Sequence, residues 1–162
     1  MKRFLMCFAV AFLVLAGHAA SAKPAPRTLA EMIDVGKYFL QEKSIDDTHL
    51  RVVAKRFTDA RVTAVAFKEE LTTQEVLSEI DRRGFRPARV EELLAYGMRH
   101  FKEYNGKLLV AMGSPIKMRD GRRAYPCVTI SGDQKYLDTC SDWSIGRWES
   151  EDDGAYYLVI PK

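Results

Sequence analysis

The sequence predicts an α+β domain in which N-terminal helices pack on a C-terminal, mostly antiparallel sheet. Three observations predict it. Two capping boxes stand in the first half of the chain, at Thr28/Glu31 and Thr72/Glu75. Apolar residues recur at helical spacing up to Phe101 and then, from Leu108, run continuously or alternate. Turn pairs Asp120-Gly121 and Gly132-Asp133 punctuate that second part. Helices followed by strands is the α+β order.

Residues 1–22 read as a cleavable secretory signal. Lys2 and Arg3 form the basic start, Phe4 to Ala16 is an unbroken apolar run, and Ala20-Ser21-Ala22 has the small-x-small form of a cleavage site. The run is shorter than the about 20 apolar residues a bilayer span needs, so no membrane span is expected after cleavage. Cys7 lies inside the apolar run, which argues against a lipoprotein. Residues 23–27, with Pro24 and Pro26, are an extended lead-in. Residues 28–162 are a single domain, long enough to bury a core without heavy disulfide stapling. The protein is expected to be secreted or periplasmic.

Thr28 and Glu31 open the first helix, with Leu29, Met32, Ile33, Gly36 and Leu40 on one face. The segment from His49 to Phe57 is ambiguous between helix and strand. Alternation of Val62, Ala64 and Ala66 with Arg61, Thr63 and Val65 favours a strand ending at Phe67. The second helix begins at Thr72, buries Val76, Leu77 and Ile80, and stops at Gly84. Pro87 holds Arg86 extended. A third helix follows with Val90, Leu93, Leu94, Gly97 and Phe101 inward, and Asn105-Gly106 turns the chain. Leu108 to Met112 is short enough for a strand buried on both faces. Asp120-Gly121 suggests a type I′ hairpin between Ile116–Arg119 and Arg122–Ile130. Pro126 marks the latter as an edge or bulged strand. Gly132-Asp133 suits a type II′ turn into Lys135–Cys140, and Tyr156–Ile160 closes the sheet.

Charge excludes one class of partner. The whole chain carries +3, but loss of Lys2 and Arg3 takes 25 basic residues to 23 against 22 acidic ones, leaving +1. A near-neutral domain is not a general nucleic-acid binder. Charge is nonetheless segregated: eleven Lys/Arg and four Asp/Glu lie between Arg82 and Arg123, and seven acids and two bases between Asp133 and Asp153. Arg82, Arg83, Arg86 and Arg89 are a candidate anion patch near the start of the third helix. Salt bridges to Glu79, Glu91 and Glu92 are the competing use of the same residues.

After cleavage only Cys127 and Cys140 remain, and two cysteines in an oxidising compartment most simply pair. Hairpin register puts Cys127 opposite Asp138, with Cys140 diagonal on the same face. A disulfide there closes a loop near the ~15-residue case, which contributes about 3 kcal/mol in the chain-entropy treatment.

Other candidate chemistry is sparse. Glu149, Glu151 and Asp153 alternate before Gly154, like the first half of a calcium loop, but Ile160 stands where the closing acid belongs. Calcium is the one cofactor with any support. Trp143, Trp148 and Tyr156 are candidates for a ligand-stacking surface. His49 beside Asp46 and Asp47 lacks metal-ligand spacing. His100, with Arg99 and Lys102, suits a helix C-terminus. Ser114 is no nucleophile elbow, because Pro115 follows it.

The run Gly84-Phe85-Arg86-Pro87-Ala88, then Glu91 to Gly97, then Leu109-Val110-Ala111-Met112-Gly113-Ser114, is distinctive. With Trp148 and the ending Tyr157 to Lys162, it resembles an uncharacterised family of small bacterial proteins. That family's pattern is "RPAT-x-EELLA-x-G", "IVALGS", a Trp-containing loop and a terminal "RFLAVRK". The likeness covers most of the mature chain and implies a shared fold without a role. Arg89, Pro161, the signal and the cysteine pair depart from the pattern. More distantly, the arrangement is similar to C-type-lectin-like domains, which include the formylglycine-generating enzyme group. The catalytic cysteines of that group have no counterpart here, so no activity is implied.

These readings favour an exported non-enzymatic binding or structural domain of the cell envelope or extracellular space, working through the loop from Trp143 to Gly154. An envelope glycan or a protein is the expected partner. A small secreted hydrolase or transferase whose site is not visible in sequence, and a secreted inhibitor or effector of another protein, stay open as alternatives.

Overall fold

The computed structural model describes residues 28–46, 50, 61–68, 71–118, 120–141 and 154–162. Helix α1 (Leu29–Gly36) opens at the predicted capping box. Thr28 Oγ1 accepts from the Glu31 N–H at 3.1 Å, and Glu31 Oε2 accepts from the Thr28 N–H at 3.2 Å. The helix does not reach Leu40. Lys37 turns into the left-handed region at φ 53° and its N–H returns to the Asp34 carbonyl. Leu40 instead ends strand β1 (Tyr38–Leu40), where it is exposed. The local reason is Tyr38. Its ring packs against Gly36 and Gly97, and its hydroxyl donates to the Leu94 carbonyl at 2.7 Å. That wedge ties β1 to the third helix in place of a further helical turn.

Strand β2 (Thr63–Val65) falls within the predicted strand. Helix α2 (Thr73–Arg82) starts at the second capping box and buries Val76 and Ile80. Gly84, at φ 78°, stops it by returning its N–H to the Asp81 carbonyl. Strand β3 (Phe85–Pro87) leads to α3 (Val90–His100), which buries Val90, Leu93, Leu94 and Gly97, and a 3₁₀ turn follows at Phe101–Tyr104.

The remaining strands are β4 (Leu108–Val110), β5 (Ile116–Lys117), β6 (Arg123–Ser131), β7 (Gln134–Ser141) and β8 (Ala155–Pro161). The sheet order is β1-β7-β6-β4-β8-β2, with β3 on β8 and β5 on β6. Pairs β1–β7 and β4–β8 are parallel and the others antiparallel. The fold is therefore α+β with a mostly antiparallel sheet. It differs from the predicted order in two respects: β1 and β3 also join the sheet from before the third helix, and β8 lies inside the sheet.

Both faces of the sheet are covered. Leu109, Val128, Ile130, Leu137 and Leu158 pack with α1 and α3 in one cluster. Leu108, Val110, Tyr125, Tyr157 and Val159 pack with Val76 and Ile80 of α2 in the other. Two-sided burial explains the unbroken apolar run of β4. Lys135 is buried with the first cluster, its ammonium 4.7 Å from the Phe101 ring centre and 5.5 Å from that of Tyr38. Burial, with Lys37 nearby, pushes its amine below the ordinary lysine value.

Two turn and edge expectations are corrected. Asp120 does not have positive φ, whereas Gly121 does at 84°. Gly121 N–H donates to the Met118 carbonyl, and Met118 N–H to the Arg122 carbonyl. This is the three-residue hairpin with glycine in the left-handed position, not a type I′ turn. Second, β6 is an interior strand despite Pro126. The Pro126 carbonyl accepts from Ala111, so its nitrogen faces the β4/β5 side, where β4 has ended and β5 has not begun. The missing donor forgoes only the return bond of the Ala111–Pro126 pair, where the ladder on that side passes from β4 to β5, and the β7 ladder is uninterrupted. The Gly132-Asp133 turn is as predicted, with Gly132 at φ 59° and Ser131 paired with Gln134.

Cys127 and Cys140 form the expected disulfide, with Cα atoms 6.0 Å apart, and Cys127 stands opposite Asp138. The bridge braces β6 against β7 in the α2-side core. Replacing both cysteines by serine should lower unfolding free energy by about 3 kcal/mol. Urea titration of the two oxidation-competent and oxidation-incompetent proteins measures this directly.

Beyond β4 the sheet forks: β5 stays with β6 and β3 with β8. Gly113 closes the fork, its N–H donating to the Ala88 carbonyl at 2.8 Å. A Cβ there would lie 2.6 Å from that oxygen and 2.8 Å from the Pro87 carbonyl. Both obstacles are backbone and cannot swing away. Gly113→Ala should therefore cost about 1–3 kcal/mol, the range of an overpacked interior, read as a lowered urea midpoint at unchanged slope.

Candidate functional site

A concavity runs along the outer face of α2. It has a volume of about 710 Å³, within the range of small-ligand sites. Its position follows from the chain path. Strand β2 delivers Ala66, Phe67 and Lys68 beside α2, and Leu71 completes that wall. Helix α2 supplies Glu75, Ser78, Glu79 and Arg82 from one face, at the i, i+3, i+4, i+7 spacing of a helical stripe. Arg83 caps the helix at the far end.

Phe67 is the half-buried floor. Its ring lies 5.4 Å from that of Tyr157 on β8, tilted by 53°, so the groove is seated on the α2-side core. The Arg83 guanidinium carbon lies 5.1 Å over the Phe67 ring. Glu79 holds two arginines. Arg82 donates Nε to Oε2 at 2.7 Å and Nη2 to Oε1 at 2.6 Å, and Arg83 donates Nε to Oε1 at 2.7 Å. These hydrogen bonds hold the Glu79 carboxyl down at about 2 and raise Arg82. At the other end, Glu75 accepts from the Thr72 N–H at 2.8 Å and from its hydroxyl at 2.7 Å, which lowers its carboxyl as well. Burial pushes the Tyr157 hydroxyl up to about 12, so it is neutral at physiological pH.

Of the four arginines read as an anion patch, only Arg82 and Arg83 meet. Arg86 turns away to a two-pronged ion pair with Glu92, at 3.0 and 2.7 Å. Glu92 also accepts from the Arg89 N–H at 2.8 Å and thereby caps α3. Glu91, expected as a further salt-bridge partner, is instead buried, with one carboxylate oxygen that has no hydrogen-bond partner among the described residues. Ser114 has a structural use: its Oγ accepts from the Val90 N–H at 3.0 Å, closing the α3 N-terminus from 24 residues away. Tyr156 is half-buried on the α3 side, its ring edge-on to Tyr104 at 5.2 Å. His100 stacks on Tyr96 at 4.3 Å and pairs with Glu103. Trp143, Trp148, Glu149, Glu151, Asp153 and His49 lie outside the described residues. Among the described residues no group of three or more His, Cys, Asp or Glu side chains is placed to hold a metal ion.

Phe67, Leu71 and Ser78 were not singled out as site residues in the sequence. The Glu79/Arg82/Arg83 spacing was legible, but nothing local links Phe67 to Arg83 across 16 positions.

No protein-family model, curated protein or solved structure matches the chain.

The acid response of Glu79 is a direct check on this geometry. Its folded carboxyl lies below the ordinary 4.5, so its contribution is present above about pH 4.5 and lost as pH falls through about 2. The stability difference between the native protein and Glu79→Gln should shrink over that window. Urea midpoints at intervals from pH 6 to 2 measure it, and a constant difference would mean that the ion pairs are not formed in solution.

Proposed function

We propose that this chain is an exported, non-enzymatic binding domain of the cell envelope or extracellular space, with its ligand seated in the groove along α2. The observation that carries this reading is the state of the groove's ionisable groups. Glu79 is committed to two arginines and Glu75 to a helix cap, and both are held below the ordinary carboxylate range. A carboxylate so stabilised in its charged form is a poor proton acceptor near neutral pH. The same arrangement is well suited to recognition, because paired charges present fixed donors beside an apolar floor.

Export rests on the leader read in residues 1–22. The Cys127–Cys140 disulfide supports it, since such bonds persist in oxidising compartments. No helix among the described residues is long and apolar enough to cross a membrane. The loop from Trp143 to Gly154 belongs to the proposal as a second ligand surface, on the strength of its aromatic and acidic residues and the lectin-like resemblance.

The test is the melting temperature of the oxidised protein against calcium, EDTA, simple glycans, small carboxylates and polyanions. A ligand at about 100 times its Kd adds about 2.7 kcal/mol, a shift of several degrees in a domain of this size. The expected result is a rise with at least one glycan or anion that is lost in Phe67→Ala, each protein being compared with its own ligand-free state. Unchanged melting with every ligand would overturn small-ligand binding and leave a protein partner or a structural role.

A further inference from the structure

We infer that the groove recognises a carboxylate attached to a flat apolar group, with Arg83 as the anion fork and Phe67 as the apolar wall beside it. The inference rests on the groove being a binding site and adds the chemistry of its ligand. Three features of the groove lead to it.

The first is the use of the guanidinium donors. Arg82 gives Glu79 both Nε and Nη2, which is a complete two-pronged pair. Arg83 gives it Nε alone. Its two terminal nitrogens have no protein acceptor among the described residues, although the side chain is held at Nε and is only 42% exposed. A planar guanidinium fixed at one edge with its other edge open matches the two oxygens of a carboxylate.

The second is charge. Two guanidinium groups share one carboxylate, so Glu79, Arg82 and Arg83 together carry one net positive charge, and Lys68 lines the same groove. Glu75, seven residues earlier on the same helix face, lies about 10 Å away along the axis at 1.5 Å per residue. It therefore does not cancel that charge at contact distance.

The third is the apolar surface next to the fork. Phe67 lies under the Arg83 guanidinium, and Leu71 lines the cavity wall toward the start of α2; both pack on the α2-side core. A ligand whose carboxylate reaches the terminal nitrogens of Arg83 places its adjoining atoms along this wall. A flat group buries most area there, against the part of the half-buried Phe67 ring that Arg83 leaves uncovered. A bare anion would leave the apolar wall uncovered, and an uncharged aromatic would leave the fork unused.

The experiment uses three probes on the oxidised protein, followed by two-dimensional amide and arginine Nε–H NMR spectra. N-acetyl-phenylalanine carries both features, N-acetyl-phenylalaninamide has the ring without the charge, and acetate has the charge without the ring. The acid should shift the Phe67 and Arg83 resonances saturably, with the amide and acetate each at least about tenfold weaker. Arg83→Gln should weaken the acid about tenfold or more and leave the amide unchanged. Arg83→Lys keeps the charge but not the fork, and should fall between them. Both changes lie on the exposed end of α2, and an unaltered melting temperature confirms that each variant is folded. Equal binding of acid and amide in the groove would overturn the anion fork while leaving the groove a binding site. Equal binding of acetate and the acid would overturn the apolar contact with Phe67. Absence of any shift in the groove with all three would overturn the inference whole. A response of the same resonances to another ligand of the melting series would then show that the groove still binds.

Discussion

Burial of β8 on both faces and along both edges is the constraint on which the rest of the structure depends. Its edges are taken by β4 and β3 on one side and β2 on the other. Its faces carry Leu158 into the α1/α3 core and Tyr157 and Val159 into the α2 core. A strand so enclosed must have helices on both sides, because each exposed apolar face would cost about 25 cal/mol for every Å² left in water. The last strand of the chain thus recruits elements from its beginning, and β2 and β3 can be fixed only once β8 is in place.

The same enclosure builds the groove. Tyr157 reaches the α2 side of the sheet and supports Phe67, and Phe67 in turn supports the Arg83 guanidinium. Glu79 sets the direction of that guanidinium. The exposed ion pairs contribute little to stability, since surface pairs are worth roughly 0–1 kcal/mol. Their value lies in orientation: a guanidinium with one edge held has fewer conformations to lose when a ligand meets the other edge.

On the opposite side, Tyr38 and Ser114 perform related work. Tyr38 sits against Gly36 and Gly97, joining α1, β1 and α3 at one point, where a Cβ on Gly97 would come within 2.6 Å of its hydroxyl. Ser114 closes the start of α3 from the loop beyond β4. Each makes a contact between parts of the chain that local pattern treats separately. The fork in the sheet and the α3 N-terminus meet at Gly113 and Ser114.

What the sequence by itself determined was local. Thr28/Glu31 and Thr72/Glu75 set the helix starts, because a capping box satisfies its donors within four residues. Gly84 and Gly132 set a stop and a turn, because positive φ is a single-residue property. The period of apolar residues set most of the elements, and the register of one hairpin set the Cys127–Cys140 pair. Only the tertiary structure decided the rest. It ended α1 before Leu40, made β6 an interior strand in spite of Pro126, and placed β8 inside the sheet, between β4 and β2. Each of these outcomes depends on a partner far along the chain: Leu94 for Tyr38, Ala111 for Pro126, and three separate strands for β8. The candidate site follows the same division. The Glu79, Arg82 and Arg83 spacing is written within one helix, whereas the aromatic floor beneath Arg83 exists only because β2, α2 and β8 pack together.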